Sequence, residues 1–129
     1  FGLWREQDGG ATAWLGAYIT DFLYRAKAEG YGVPDEALDR SYGALAQIAR
    51  IDRWVYSGYQ MQAYEGPWSN DTTDQLRRRS AAYAYYVLAR AGKADLSDLR
   101  YFHDALMIDV ASPLAKAHVA AALALMGDR

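Results

Sequence analysis

The chain has 129 residues, a length that fits one domain with a modest core, and its 52% hydrophobic content argues against disorder. Its formal net charge of −2 gives no electrostatic reason to expect nucleic acid or an anionic membrane as a partner. Cysteine is absent, which excludes disulfides, thiolate catalysis and cysteine-ligated zinc within these residues, and no run approaches the roughly 18 apolar residues of a membrane-spanning helix.

The first predicted helix extends from about Thr12 to Glu29, and Gly30 supplies the left-handed residue that ends it. Its apolar residues recur at helical spacing and predict one wide stripe, which comprises Trp14, Leu15, Tyr18, Ile19, Phe22, Leu23 and Ala26. The same composition, alanine and aromatic residues followed by glycine, returns at 81–92 and more thinly at 115–127. A repeated unit of this kind predicts stacked helical hairpins.

A second helix is predicted to begin at Pro34, which the first turn of a helix tolerates, and to run to about Trp54. Asp35 and Glu36 follow where the helix dipole favours acidic residues. The residues that mark its buried side are Leu38, Tyr42, Leu45, Ile48 and Ala49. Because the link between the first two helices is so short, we expect them to pack antiparallel.

The helical pattern stops between Ser57 and Asn70, where glycine and proline interrupt it. Three aromatic residues stand among polar ones in this loop: Tyr59, Tyr64 and Trp68. Large rings with polar groups often anchor interfaces, so the loop is the best candidate for an interaction surface. The alternative is that the three rings cover one end of the helical stack.

A third helix is predicted to start at Thr72-Thr73-Asp74-Gln75, which has the pattern of a capping box, and to end at Gly92. Its second half, 81–91, is apolar on nearly every face, which predicts a helix covered on all sides. Asp95 is predicted to cap a fourth helix, and Ser112-Pro113 is a start signal for a fifth that ends at Gly127.

The predicted architecture is all-α, because no stretch alternates cleanly between apolar and polar residues as a strand would. Five or six helices are expected in antiparallel pairs, and the fourth carries Leu99, Phe102 and Leu106 on one side. In each pair the first helix is rich in alanine and expected to be buried, while the second is more amphipathic. This asymmetry predicts an inner and an outer ring of helices.

The two histidines, His103 and His118, fall on or beside apolar helical stripes. A metal site or acid–base pair would need a second ligand or partner at matching spacing, and the neighbouring sequence supplies none. Both are therefore interpreted as structural residues.

Three charged motifs have a chemical and a structural interpretation. Asn70-Asp71-Thr72-Thr73-Asp74 is faintly similar to the magnesium–diphosphate motif of terpene synthases, but a helix start needs capping residues there anyway. Glu65 with Asp71 or Asp74 could form the acid/base pair of a glycosidase, although isolated loop acids are common. Arg77-Arg78-Arg79 is better explained as a solvated face that pairs with Asp74 than as a phosphate site.

Two segments near the start of the chain are distinctive: Phe1-Gly2-Leu3-Trp4, and the helix at 12–23 that reads TAWLGAYITDFL. They resemble the Gly-Phe-Gly-Leu-Trp segment and the Trp-Leu-Thr-Ala-Tyr-Val-x-Asp-Phe-Leu helix in the thioester domain of the bacterial alpha-2-macroglobulins. The resemblance continues at 25–34, 82–92 and 98–101. The residues that carry this signature, and that it implies pack within the domain, are Phe1, Gly2, Trp4, Trp14, Tyr18 and Asp21.

The resemblance implies that residues 1–129 are a single fragment of an α/α toroid and supply about half of its six hairpins. It implies membership in a large periplasmic protein, in some cases a membrane-anchored lipoprotein, that traps proteases of broad specificity. A protease cuts an exposed bait region, the molecule collapses around it, and a cysteine–glutamine thioester acylates a lysine of the protease. The implied partners are target proteases and neighbouring domains; no catalytic residue, cofactor or metal is expected.

The family's Cys-x-Glu-Gln motif is missing here, and in the family it lies upstream of Phe-Gly-Leu-Trp. The chain opens at Phe1 without an initiator methionine, so we expect an excised piece whose reactive group lies elsewhere. Half a toroid would expose apolar edges, which predicts self-association, most simply as a two-fold dimer. The alternatives are an α/α-toroid enzyme, similar to a terpene cyclase or a glycoside hydrolase, and a solenoid-type binding scaffold.

Overall fold

The chain folds into helices throughout the part that the computed structural model describes, residues 13–50, 70–108 and 110–128. The α-helices are α1 (Ala13–Ala28), α2 (Asp35–Ala49), α3 (Asn70–Arg90), α4 (Leu96–Tyr101) and α5 (Pro113–Leu125). A π-helical turn, Phe102–Leu106, continues α4 directly. The described residues include no strand, and the prediction of an all-α chain is confirmed.

The repeated glycine after an Ala/aromatic helix ends α1, α3 and α5 in the same way. Gly30, Gly92 and Gly127 all have positive φ, at 89°, 70° and 77°. In each case the following N–H donates to a carbonyl five residues back, for example Lys93 to Leu88 at 2.8 Å. This pairing satisfies helix-end carbonyls and needs a left-handed residue, which glycine adopts without steric cost.

Two of the predicted helix caps are observed, and one predicted helix start differs from the structure. The Asp95 carboxylate accepts from the Asp98 N–H at 2.9 Å, and Ser112 Oγ accepts from the Ala115 N–H at 3.3 Å, as predicted. The predicted start of the third helix at the capping box is wrong, because α3 already begins at Asn70. Gln75 Oε1 instead accepts from the Ala111 N–H at 3.2 Å and ties α3 to the segment before α5.

Helix α3 lies at the centre of the fold, between α1, α2 and α5. From Ala81 to Ala89 every side chain except the half-buried Tyr86 is buried, which confirms the prediction of a helix covered on all sides. The small alanines let the neighbouring helices approach closely, and the larger rings and branched side chains fill the space between them. Leu45 and Ala49 of α2, and Leu99 and Phe102 near the π-helical turn, complete this core.

Three residues of the stripe predicted for the first helix are exposed within this chain. Trp14, Tyr18 and Phe22 are 41%, 58% and 63% exposed, whereas Ala17, Thr20 and Asp21 face the core. The cause is that α1 is apolar around most of its circumference, and α2 and α3 cover only one side of it. Within this chain the predicted burial is therefore seen for α3, whereas α1 leaves one apolar side uncovered.

Candidate functional site

A buried carboxylate, Asp21, joins α1 to α3. Its side chain is only 9% exposed and accepts from Arg90 Nη1 at 3.1 Å, from the Tyr83 hydroxyl at 3.3 Å and from Arg25 at 3.2 Å. A buried carboxylate is costly unless charged or hydrogen-bonding partners surround it, and these three donors supply them. The packing role that the sequence predicts for Asp21 is thus an ionic one.

The tyrosine of this cluster, Tyr83, also belongs to an aromatic stack across α1, α3 and α5. Its ring contacts that of Trp14 with centroids 4.6 Å apart and lies nearly parallel to that of His118 at 4.9 Å. Burial, together with the negative charge of Asp21 and the hydrogen bond to it, raises the pKa of Tyr83 to about 12. The hydroxyl therefore stays protonated and keeps donating to Asp21 at neutral pH.

The guanidinium of Arg90 closes the other side of the cluster. It lies over the rings of Tyr24 and Tyr86, at 5.3 Å and 5.7 Å from their centroids. The Tyr24 hydroxyl donates to the Arg90 carbonyl at 3.2 Å, next to the end of α3. These contacts hold the arginine toward Asp21 and restrict its rotamers, which favours a fixed ion pair over a mobile one.

The two histidines differ in environment. His118 stacks on Tyr83 and Tyr86, and burial lowers the pKa of its imidazole, which fits the predicted structural role. His103 is exposed and its Nδ1 lies 2.7 Å from Asp104 Oδ1, so it lies beside the apolar side of its helix and not within it.

The predicted pairing of the arginine run with Asp74 lies outside the described side chains. Arg78 does not point into solvent as a solvated face requires: it is half-buried, and its Nη1 donates to the Leu106 carbonyl at 2.8 Å. It therefore supports the end of the π-helical turn, while Arg79 is exposed.

The buried ionic cluster of Asp21, Arg25, Tyr83 and Arg90, here called the Asp21 clasp, connects α1 to α3. Its arrangement is structural and lacks the features of a catalytic site. The carboxylate oxygens accept from donors of two helices, an arrangement typical of a structural ion pair. Within the described residues there is no group of three or more metal-ligating side chains, and none of the helices there is long and apolar enough to cross a membrane.

A surface depression of about 310 Å³ lies beside the π-helical turn. Its lining residues are His103, Met107, Lys116, Val119, Ala120 and Leu123. The lining is mainly apolar, and its two polar side chains are both exposed. Such a shallow site lacks the convergent polar groups that orient a substrate.

The exposed aromatic face of α1 consists of Trp14, Tyr18 and Phe22, which are spaced four residues apart on one side of the helix. Trp14 packs partly on Tyr83, but the packing role expected for Tyr18 is not seen within the described chain, where 58% of its surface is exposed. Contiguous exposed apolar surface commonly marks an interaction site.

Several residues singled out in the sequence lie outside the described residues: Phe1, Gly2, Trp4, Tyr59, Tyr64, Glu65 and Trp68. The side chains of Asp71 and Asp74 are likewise outside them. The aromatic loop as an interaction surface therefore stays a prediction. The Asp21 cluster escaped the sequence reasoning, although a lone acid within an apolar helix was a usable signal, because a buried carboxylate requires a partner.

No protein-family model matches the chain. The alpha-2-macroglobulin of Escherichia coli K12 is 36% identical over 133 residues, an alignment that covers 99% of this chain and 7% of that protein. The alpha-2-macroglobulins of two Xylella fastidiosa strains are 31% identical over 89% of this chain and 6% of their own length. The chain thus spans about 7% or less of the curated relatives it matches.

The solved structures of the Escherichia coli protein share the fold at 32% identity over 99% of this chain. The native conformation seen by electron microscopy gives a TM-score of 0.74 and is covered over 7% of its length. The native crystal structure from domain MG7 to the C-terminus gives 0.75 with 18% covered, and the trypsin-activated form gives 0.75 with 8% covered.

Fold and cluster together define an all-α scaffold held by a buried ionic clasp. Over nearly its whole length the chain is homologous to a segment of the bacterial alpha-2-macroglobulins, and its fold matches a stretch within the region from domain MG7 to the C-terminus of the Escherichia coli protein. The alternative of a terpene cyclase-like or glycoside hydrolase-like enzyme is not favoured by these matches.

Proposed function

We propose that the chain is part of a broad-spectrum protease inhibitor of the alpha-2-macroglobulin kind and has no enzymatic activity of its own. Identity of 36% with the Escherichia coli relative across 99% of the chain is the observation that carries the proposal. The relative is described in a native and in a trypsin-activated form, which supports a protease as the partner that triggers the parent protein.

In this proposal the chain forms about half of an α/α toroid, and the toroid shields a thioester that lies outside these residues. Cleavage of a bait region exposes the thioester, the amine of a protease lysine attacks its carbonyl, an amide bond forms and the cysteine thiol leaves. Shielding matters because water would otherwise hydrolyse the activated acyl group before a protease arrives. The chain itself contains no cysteine, so it contributes scaffold and the thioester comes from elsewhere in the parent.

The fold of this segment is proposed to move as one rigid part during activation. TM-scores of 0.74 and 0.75 against the native forms and 0.75 against the trypsin-activated form support this, because they differ so little. The buried clasp at Asp21 supplies the stiffness, since it connects α1 to both ends of the alanine-rich part of α3 through Tyr83 and Arg90.

The proposed location is the periplasm, where the parent works either free or held by a lipid anchor. Its partners are the target proteases and the neighbouring domains of the same protein. The exposed aromatic face of α1 offers the apolar surface that a neighbouring element would cover.

The test uses the full-length protein that contains this chain. We expect it to incorporate radiolabelled methylamine, to form a covalent adduct with trypsin on denaturing gels, and to lose the adduct after methylamine treatment. Failure to inhibit trypsin cleavage of a large protein substrate would contradict the inhibitor function. Inhibition of trypsin without methylamine incorporation would support the inhibitor function and contradict the presence of a thioester.

A further inference from the structure

The imidazole of His118 forms a contact between α5 and α3. Its ring stacks on the rings of Tyr83 and Tyr86, with centroids 4.9 Å and 5.2 Å apart and planes within about 20° of parallel. Its Nδ1 is buried and has no hydrogen-bond partner within the described residues. A buried ring nitrogen in this position is tolerated far better in a neutral imidazole than in a charged one.

The charged groups around this ring are already paired with one another. Tyr83 and Tyr86 stack on the ring, and the charged side chains that contact these two tyrosines or their partner Asp21 are Asp21, Arg25 and Arg90. Asp21 is occupied by two arginines and by Tyr83. The ring of Tyr86 already lies under the Arg90 guanidinium, so a proton on His118 would place a second cation against it.

We propose that His118 is a pH-sensitive contact: the neutral imidazole holds α5 against α3, and protonation of the ring weakens the packing of the two helices. This proposal does not depend on the thioester chemistry of the proposed function, so either can be correct without the other. It connects α5 to the Asp21 clasp through Tyr83, so loosening it also relaxes the junction of α1, α3 and α5.

The direction of the pH effect follows from the environment of the ring. Burial lowers the pKa of His118 below the ordinary value of 6.5, and the charge of Asp21 opposes this with a smaller effect. An opened or unfolded α5 therefore binds the proton more readily than the packed one. The contribution of the contact is complete above about pH 6.5 and is lost as the pH falls below it.

Hydrogen-exchange mass spectrometry of the protein that contains this chain tests the proposal at about pH 7.5 and about pH 5.5. After correction for the intrinsic effect of pH on exchange, we expect exchange in α5 to accelerate several-fold at the lower pH. His118→Phe keeps a flat ring between the two tyrosines but has no proton to gain, and it should abolish the acceleration. His103→Gln is the matched control, because it removes the exposed histidine and should retain the acceleration.

Three outcomes would overturn the proposal: no acceleration in the wild type, the same acceleration in His118→Phe, or its loss in His103→Gln. If His118→Phe fails to fold, the wild-type imidazole resonances decide the matter by nuclear magnetic resonance. Titration of His118 below 6.5 in step with faster exchange of α5 supports the contact, and titration without such a change overturns it.

Discussion

At the scale of single residues, the most consequential side chain is Asp21. Two arginines and a tyrosine converge on a carboxylate that is only 9% exposed, and the tyrosine partner comes from 62 positions along the chain. Hydrogen bonds to a buried charge are stronger than neutral ones, and removing one member leaves the others unpaired. Stability is therefore concentrated at this position more than at any exposed ion pair of the described residues.

We expect Asp21→Asn to lower the free energy of unfolding by about 2–3 kcal/mol, because the charge that holds Arg90 and Tyr83 is lost while the shape is retained. Urea unfolding followed by circular dichroism measures the change. Asp104→Asn is the control: its side chain is 75% exposed, so its midpoint should stay close to that of the wild type. Equal midpoints for the two variants would contradict the clasp.

The Tyr83 hydroxyl gives a prediction at alkaline pH. Its pKa is raised to about 12 in the folded chain from an ordinary value of 10.0, so the unfolded chain loses this proton first. The associated stability is complete below about pH 10 and falls as the pH rises toward 12. Tyr83→Phe should show a smaller decline in unfolding free energy over this range, and an identical decline in both proteins would refute the assignment.

At the scale of elements, the π-helical turn after α4 depends on a side chain from α3. The Phe102 N–H is shared between the carbonyls of Asp98 and Leu99, and the turn ends at the Leu106 carbonyl, which accepts from Arg78. In a π-helical turn the backbone hydrogen bonds join residues five apart instead of four, and such a turn needs outside support to persist. The arginine supplies this support from 28 positions earlier in the chain.

Arg78→Met should cost about 1 kcal/mol of unfolding free energy, since it keeps an apolar stem but removes the donor to Leu106. Faster hydrogen exchange in a peptide covering 102–108 would locate the effect in the turn. Arg79→Met, in the neighbouring exposed position, is the matched control and should leave that peptide unchanged. Similar exchange in both variants would show that the turn does not need the arginine.

Features that depend on local backbone chemistry were predictable from the sequence. The glycines that end α1, α3 and α5 and the caps at Asp95 and Ser112 require only a few neighbouring residues. The burial of α3 follows equally well, because a segment that is apolar on every face has no side that favours water.

Features that depend on distant partners were not predictable. The sequence near Asp21 does not indicate that its partners are Tyr83 and Arg90, which lie 62 and 69 positions away. The same holds for α1, whose stripe is wider than the surface that α2 and α3 cover. Periodicity identifies which residues are apolar, but only the arrangement of neighbouring helices decides which of them are buried.

At the scale of the whole molecule, the exposed aromatic face of α1 predicts that the isolated chain self-associates. Trp14, Tyr18 and Phe22 are 41%, 58% and 63% exposed, and aromatic side chains bury about 150–250 Å² each when they are covered. The three together expose a few hundred Å² at most, well below the roughly 800 Å² per partner of a stable interface. A weak two-fold dimer that forms with rising concentration is therefore expected.

Light scattering over a range of concentrations measures the association. The paired change Tyr18→Lys and Phe22→Lys should shift the average mass toward that of the monomer, because lysine heads remain hydrated and repel one another across a two-fold axis. Tyr31→Lys is the matched control: Tyr31 is 72% exposed but lies beyond the end of α1, so its loss should leave the association unchanged. A wild-type mass that stays monomeric at every concentration would contradict the prediction, and an equal shift in the double variant and in Tyr31→Lys would place the interface away from this face.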